Sequence, residues 1–172
     1  MRTHFIVKSA MIAALYVVLT FICSSFSFGA IQVRVAMGLE LLSFFTPAGI
    51  LGCALGTLLS NILFGGLGLI DTVVGTLTTA ICCGLVYASG FYRWHESTTM
   101  GTVEHDYWNV AWLIPIVPTA FLVDIILHLT LNVPFGTTFI TLAIGNAIAM
   151  FIGFIIFNLL KRNIELMKLI KK

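Results

Sequence analysis

Five ionisable side chains interrupt the apolar stretches of this chain: Arg34, Glu40, Asp71, Asp124 and His128. Their types suit recognition. A carboxylate accepts hydrogen bonds from N–H groups and cations, and an arginine offers a planar fork of donors to a carbonyl or an anion. Asp124, His128 and Asn132 stand four residues apart, which puts them on one side of a helix. An Asp–His pair at that spacing could also carry a proton. Gln32 and Asn146 add amides, and Phe44 and Phe45 add rings on which a flat ligand could stack. The motifs of catalysis are missing. There is no G-x-x-x-x-G-K-[ST] to cradle a phosphate, no H-E-x-x-H to hold a metal and no G-x-S-x-G nucleophile turn. Thr130 is the one hydroxyl near the Asp–His pair, so an intramembrane hydrolase is a weak alternative. The set reads as a site that captures a small polar solute, with no catalytic residue, metal or cofactor.

The rest of the chain says where such a site must sit. Of 172 residues, 59% are hydrophobic and 9% charged, with mean hydropathy +1.07. A soluble domain carries roughly 25% charged residues, so this is a membrane protein. From Ser9 to Ile31 no residue is charged, a stretch longer than the about 20 residues a span needs. A cleaved signal peptide would have an apolar core of only about 7–15 residues. The net charge of +2 is no nucleic-acid footprint, because the basic residues gather at helix ends. Cys23, Cys53, Cys82 and Cys83 lie inside apolar runs without metal-ligand spacing, as buried, inert thiols do.

Glycine, proline and charge divide the chain into six helical segments, near residues 5–28, 38–45, 48–64, 69–92, 108–131 and 136–161, in one transmembrane domain over 1–172. The second is too short to cross alone at 1.5 Å per residue. It follows an extended stretch, "IQVRV", whose alternation points Gln32 and Arg34 one way and the valines the other. Eight of the nine Lys and Arg residues fall on one side of a six-helix arrangement, Arg34 being the exception. The positive-inside rule makes that side the cytoplasm, with both termini in it. On this map Arg34 and Gln32 lie in the outer loop, Glu40 opens the second helix from outside, and Asp71 opens the fourth. Asp124 sits roughly 24 Å above the cytoplasmic end of the fifth. The polar groups thus belong to the outer half and the inner half is apolar, giving a cavity open outward. Trp108 and Trp112 read as an interfacial belt.

Each group has a plainer reading too. Asp71 could cap its helix, Arg34 could snorkel to phosphates, Asp124 and His128 could be a structural pair, and Asn146 could hydrogen-bond another helix. Small residues recur four apart in Ala10-x-x-x-Ala14, Ser9-x-x-x-Ala13, Gly52-x-x-x-Gly56 and Gly145-x-x-x-Ala149-x-x-x-Gly153. Such spacing lets helices approach closely in lipid. Most of these stripes mark internal packing, and one could face a partner.

Residues 31–81, "IQVRVAMGLELLSFFTPAGILGCALGTLLSNILFGGLGLIDTVVGTLTTAI", resemble the QueT family of substrate-binding S-components of energy-coupling-factor (ECF) transporters, associated with queuosine precursors (7-deazaguanines). The family pattern I-Q-x-R-V-S-E-A-L-T-x-L-P-F-F-T-P-A is matched at Ile31, Gln32, Arg34, Val35, Leu39, Leu42 and Phe44 to Ala48. The match continues at Asn61, Gly65, Gly66, Gly68, Asp71, Gly75, Leu77 and Thr79. The chain departs at Met37 and at Asn146, where the family has glutamate, while Glu40 appears three residues after Met37.

The resemblance implies a six-helix S-component with an outward pocket in the bacterial cytoplasmic membrane. It implies docking through an A-x-x-x-A pattern, here Ala10 and Ala14, onto an ECF transmembrane coupling subunit carrying two cytoplasmic ATPase subunits. ATP hydrolysis would then reside in partner chains. Substrate-binding residues on this reading are Gln32, Arg34, Glu40, Phe44, Asp71, Asp124, His128 and Asn146. Two alternatives stay open: an S-component for another heterocyclic vitamin or nucleobase, and a stand-alone proton-coupled carrier using Asp124 and His128.

Overall fold

The computed structural model describes residues 2–23, 34–64, 68–96, 110–132 and 134–161. Among them every regular element is a helix. In chain order these are α1 (Arg2–Ile22), a 3-10 helix (Val35–Phe44), α2 (Ala48–Phe64), α3 (Leu69–Glu96), α4 (Ile116–Leu131) and α5 (Thr137–Lys161). α1, α3 and α5 are long and apolar enough to cross a membrane, and the other three are shorter apolar helices. The outer surface is apolar: Met11 is 68% exposed, Ile62 62% and Leu129 73%. The chain is an all-α membrane protein.

The expected segments are largely found, with three shifts. The first helix ends at Ile22, and residues 24–33, which include Gln32 and most of "IQVRV", lie outside the described residues. Trp108 lies outside them as well. The helix expected from residue 108 starts at Ile116, after a run of turns over 112–115. Pro115 is its N-cap and Pro118 stands in its first turn. Neither has an N–H to continue a helical ladder, so both are tolerated at a helix start and not within one. The second segment is a 3-10 helix ten residues long, where runs beyond three or four residues are uncommon.

The contacts fix the direction of every helix. Ser9 Oγ donates to the Ala48 carbonyl at 3.2 Å, and Gly52 and Gly56 lie against Ile12 and Tyr16, so α1 and α2 run parallel. Asn61 meets Asp71, so α3 returns antiparallel to α2. Gly136 meets Asp124, so α5 returns antiparallel to α4. One end of the bundle therefore holds the close of α1, α2 and α4 and the start of α3 and α5 (the Leu69 end). The other holds the start of α1 and the close of α5 (the terminal end).

The 3-10 helix is the axis of the packing. Among its neighbours are α1, α2, α3 and α5, and eight of its ten residues are buried. Two glycine contacts hold it. A Cβ at Gly153 of α5 would fall 2.6 Å from the Gly38 Cα, and a Cβ at Gly90 of α3 would fall 2.5 Å from the Phe44 carbonyl oxygen. Backbone meets backbone at both places, and only glycine permits that. Around it, Met37, Leu41, Phe44, Val86, Ile116 and Met150 form one apolar core, and Tyr16, Ala36, Leu39, Cys53 and Cys83 a second. Ala120, Val123, Leu127 and Leu142 close a third between α4 and α5.

Candidate functional site

α2 and α3 build a polar seam inside the apolar bundle. On α2, Cys53, Thr57 and Asn61 are buried at four-residue intervals, and on α3 so are Asp71, Gly75, Thr79 and Cys83. Four residues is one helical turn, so each set forms a stripe. The stripes face each other. Asn61 Nδ2 donates to the Asp71 carbonyl at 3.4 Å, and the Thr57 hydroxyl donates to Thr79 Oγ1 at 3.2 Å. Thr72, Thr76 and Thr78 spend their hydroxyls on carbonyls of the preceding turn, at Gly68, Thr72 and Val74. Tyr16 of α1 lies beside Thr57, with its ring over Gly56.

Glu40 enters the seam from the 3-10 helix and is 1% exposed. It lies near Tyr16, Cys82 and Cys83, and the half-buried Arg34 lies near both Glu40 and Tyr16. Four buried oxygens along these elements have no hydrogen-bond partner: Glu40 Oε2, Ser43 Oγ, Ser60 Oγ and Asp71 Oδ1. A buried polar atom left unpaired costs about 1–3 kcal/mol, so such atoms are rare unless something is meant to meet them. The seam can accept hydrogen bonds and hold a positive or N–H-rich group.

Several expected site residues sit elsewhere. Arg34 is the half-buried N-cap residue of the 3-10 helix. Glu40 is not at the rim. It is bracketed by Gly38, against Gly153 of α5, and Phe44, against Gly90 of α3. Those partners stand about 24 Å and 31 Å from the Leu69 end at 1.5 Å per residue. Glu40 is the sixth residue of the 3-10 helix and lies between those two levels, not in the first turn of a helix entered at the Leu69 end. Phe44 is 7% exposed in the apolar core, edge-on to Phe45 with ring centroids 5.3 Å apart.

Asp124 and His128 do not form a pair that faces one site. Asp124 is fully buried, and its Oδ2 accepts the Gly136 N–H at 3.4 Å. Gly136 precedes α5 with φ +100°, so this carboxylate caps the start of α5, where the helix dipole also favours it. His128 is exposed on the last turn of α4, edge-on to Phe135 at 6.2 Å. Asn132 ends α4 in the left-handed conformation. Asn146 Nδ2 donates to the Ile116 carbonyl at 3.5 Å, tying α5 to α4. Asp124→Asn is therefore expected to lower stability by about 1–2 kcal/mol through the cap and to leave ligand affinity unchanged. Thermal unfolding and calorimetry on the same purified sample check both halves.

The structure also sorts the small-residue stripes. Ser9 and Ala13 are buried, as are Gly52 and Gly56 against α1, Gly145, and Ala149 and Gly153 against Gly38 of the 3-10 helix. Ala10 and Ala14 are exposed. The sequence reading missed Tyr16, Thr57, Ser60, Asn61 and Thr79 as lining groups. The four-residue recurrence of polar and glycine residues on α2 and α3 is the signal that would have found most of them.

Comparison with known proteins gives this arrangement its context. The model of the QueT transporter family matches residues 6–162. A relative from Lactococcus lactis subsp. cremoris (strain MG1363), described as a queuosine precursor transporter QueT, is 31% identical over 172 residues, covering 96% of each chain. No solved structure matches significantly. The family match runs from within α1 to the end of α5, so the chain belongs to the QueT transporter family.

Proposed function

We propose that this chain is the membrane-embedded substrate-binding subunit of an ECF-type importer. On this reading it captures a queuosine precursor, a 7-deazaguanine, on the outside, and an ATPase-driven partner module completes uptake. The carrying observation is the seam of buried Tyr16, Glu40, Thr57, Asn61 and Asp71 beside the half-buried Arg34, with unpaired acceptor oxygens, inside a bundle whose surface is apolar. A guanine-like edge presents several N–H donors, which such acceptors suit. The family relationship supports the precursor as the solute. No phosphate-cradling loop occurs in the sequence, which supports energy supplied by separate ATPase chains through a coupling subunit.

The remaining features follow the same reading. The chain is one membrane-embedded unit in the bacterial cytoplasmic membrane. Both termini are cytoplasmic, as the clustering of Arg2, Lys8, Arg93 and the C-terminal lysines supports. The Leu69 end then faces outward, and the seam runs inward from Asp71 to Glu40. The separation of buried Asp124 from exposed His128 weighs against a proton relay built on those two. Arg34→Ala and Asp71→Asn are each expected to weaken binding of a 7-deazaguanine by about 10-fold or more, the cost of one charge-assisted hydrogen bond. Isothermal calorimetry on the purified chain, without ATP, checks this. Absence of binding by the wild type to any 7-deazaguanine would remove the reading.

A further inference from the structure

We propose that Cys53 and Cys83 form a metal site of their own, two facing thiols that hold one soft, thiophilic cation in linear, two-coordinate geometry. Mercury(II) is the probe. The site does not depend on the queuosine-precursor reading, and either can fail alone.

The register of α2 against α3 brings the thiols together. A Cβ at Gly75 would fall 2.9 Å from Asn61 Nδ2, so residue 61 stands opposite residue 75. One turn along each helix, Thr57 donates to Thr79 at 3.2 Å. The next turn of this antiparallel pair sets residue 53 opposite residue 83. Both are free cysteines, both are 0% exposed, and they pack in one core cluster. Their side chains share a hydrogen bond. Successive residues of an α-helix are turned by about 100°, so neighbouring Cys82 points away from the pair. It faces α4, with its sulfur 3.7 Å from Thr119 Oγ1.

Two thiols and no further ligand define which metal fits. A structural zinc takes about four ligands, and among the described residues no group of three or more His, Cys, Asp and Glu could hold a metal ion. A linear cation asks for two donors only, and soft cations prefer thiolates. A coordinated thiol gives up its proton outright. Mercuric chloride and two thiols therefore give one mercury dithiolate, two protons and two chloride ions. Two Hg–S bonds form, two S–H and two Hg–Cl bonds break, and nothing is oxidised or reduced. The bound species is uncharged, so it avoids the cost of burying an ion. An S–Hg–S bridge spans two bonds and suits sulfurs already in contact. A disulfide would draw them to about 2 Å and pull both helices inward. The seam leads from Asp71 at the Leu69 end past Asn61, Thr57 and Thr79 to this pair.

The test is titration of the purified full-length chain with mercuric chloride. It is read by the ultraviolet sulfur-to-mercury charge-transfer band and by the mercury retained after dialysis against about 1 mM of a monothiol. Two thiols fixed side by side act at an effective concentration above the millimolar range of a flexible link, so this monothiol does not displace the metal. The wild type is expected to retain one mercury per chain. Cys53→Ser and Cys83→Ser are each expected to hold mercury about 100-fold or more weakly against the monothiol, because the second intramolecular ligand is gone. Cys23→Ser and Cys82→Ser are expected to retain it. Loss of mercury by the wild type overturns the proposal. So does unchanged retention in Cys53→Ser or Cys83→Ser, or zinc held as firmly as mercury. If those two variants do not fold, X-ray absorption at the mercury edge decides, on the Cys23→Ala/Cys82→Ala double variant, whose remaining thiols are Cys53 and Cys83. Two sulfur neighbours around mercury support the bridge, and one overturns it.

Discussion

Replacing Ala10 and Ala14 together by leucine is expected to abolish uptake and leave ligand binding intact. The reason lies in how α1 divides its faces. Ser9, Ala13, Tyr16 and Thr20 are buried, and Ser9 is tied to Ala48 by a hydrogen bond. Ala10 and Ala14 lie on another face, exposed beside Met11 and Val18. Two small residues one turn apart allow a foreign helix to come close, and the proposed coupling subunit is the partner that would use this. Overpacking costs roughly 1–3 kcal/mol per site, so two leucines are expected to weaken docking by at least about 30-fold. The buried stripe is untouched, so folding and calorimetric affinity stay as in the wild type. The measurement is cellular uptake with co-purification of the coupling subunit, alongside binding by the isolated chain. Undiminished uptake in the double variant would remove docking from this face.

The second large effect concerns folding. Gly153→Leu is expected to leave little folded protein, while Gly84→Ala is expected to be neutral or stabilising. A Cβ at Gly153 would fall 2.6 Å from the Cα of Gly38, 3.1 Å from its oxygen and 3.2 Å from its carbonyl carbon. Those are backbone atoms of the 3-10 helix, which is enclosed by its neighbours and cannot step aside. The cost is expected at about 3–5 kcal/mol, at or above the upper range for overpacking, against a total stability of about 5–15 kcal/mol. At Gly84 nothing lies within 4 Å of a Cβ, so alanine adds only its better helix propensity, up to about 1 kcal/mol. Thermal unfolding of both variants in one detergent checks the contrast. Equal melting of Gly153→Leu and wild type would show that the 3-10 helix is not clamped where the structure puts it.

The same pair shows what could be read from the chain. Gly84 and Gly153 both stand inside long apolar helices, and nothing local distinguishes the open one from the clamped one. Asp124 and His128 are four apart on one helix, which promised a shared face. At α4 that face is the border between core and surface, so one side chain is buried and the other exposed. Glu40 was found by its charge, but its place differs: expected in the first turn of the second helix, it is the sixth residue of a 3-10 helix clamped against α3 and α5.

From the order of residues alone one can read that this is an all-helical membrane protein, where most helices start and stop, and that Arg34, Glu40 and Asp71 are out of place in apolar surroundings. Those are local properties: the length of an apolar run, the punctuation by proline and glycine, the cost of a charge away from water. Which faces look inward emerges from the packing of the helices against one another. In a soluble helix the apolar side marks the core. In a membrane, lipid is as apolar as the core, so both sides of a helix read alike and no hydrophobic stripe separates them. The buried Ser9 and the exposed Ala10 are neighbours in an unbroken apolar segment, and their roles differ because one meets α2 and the other does not.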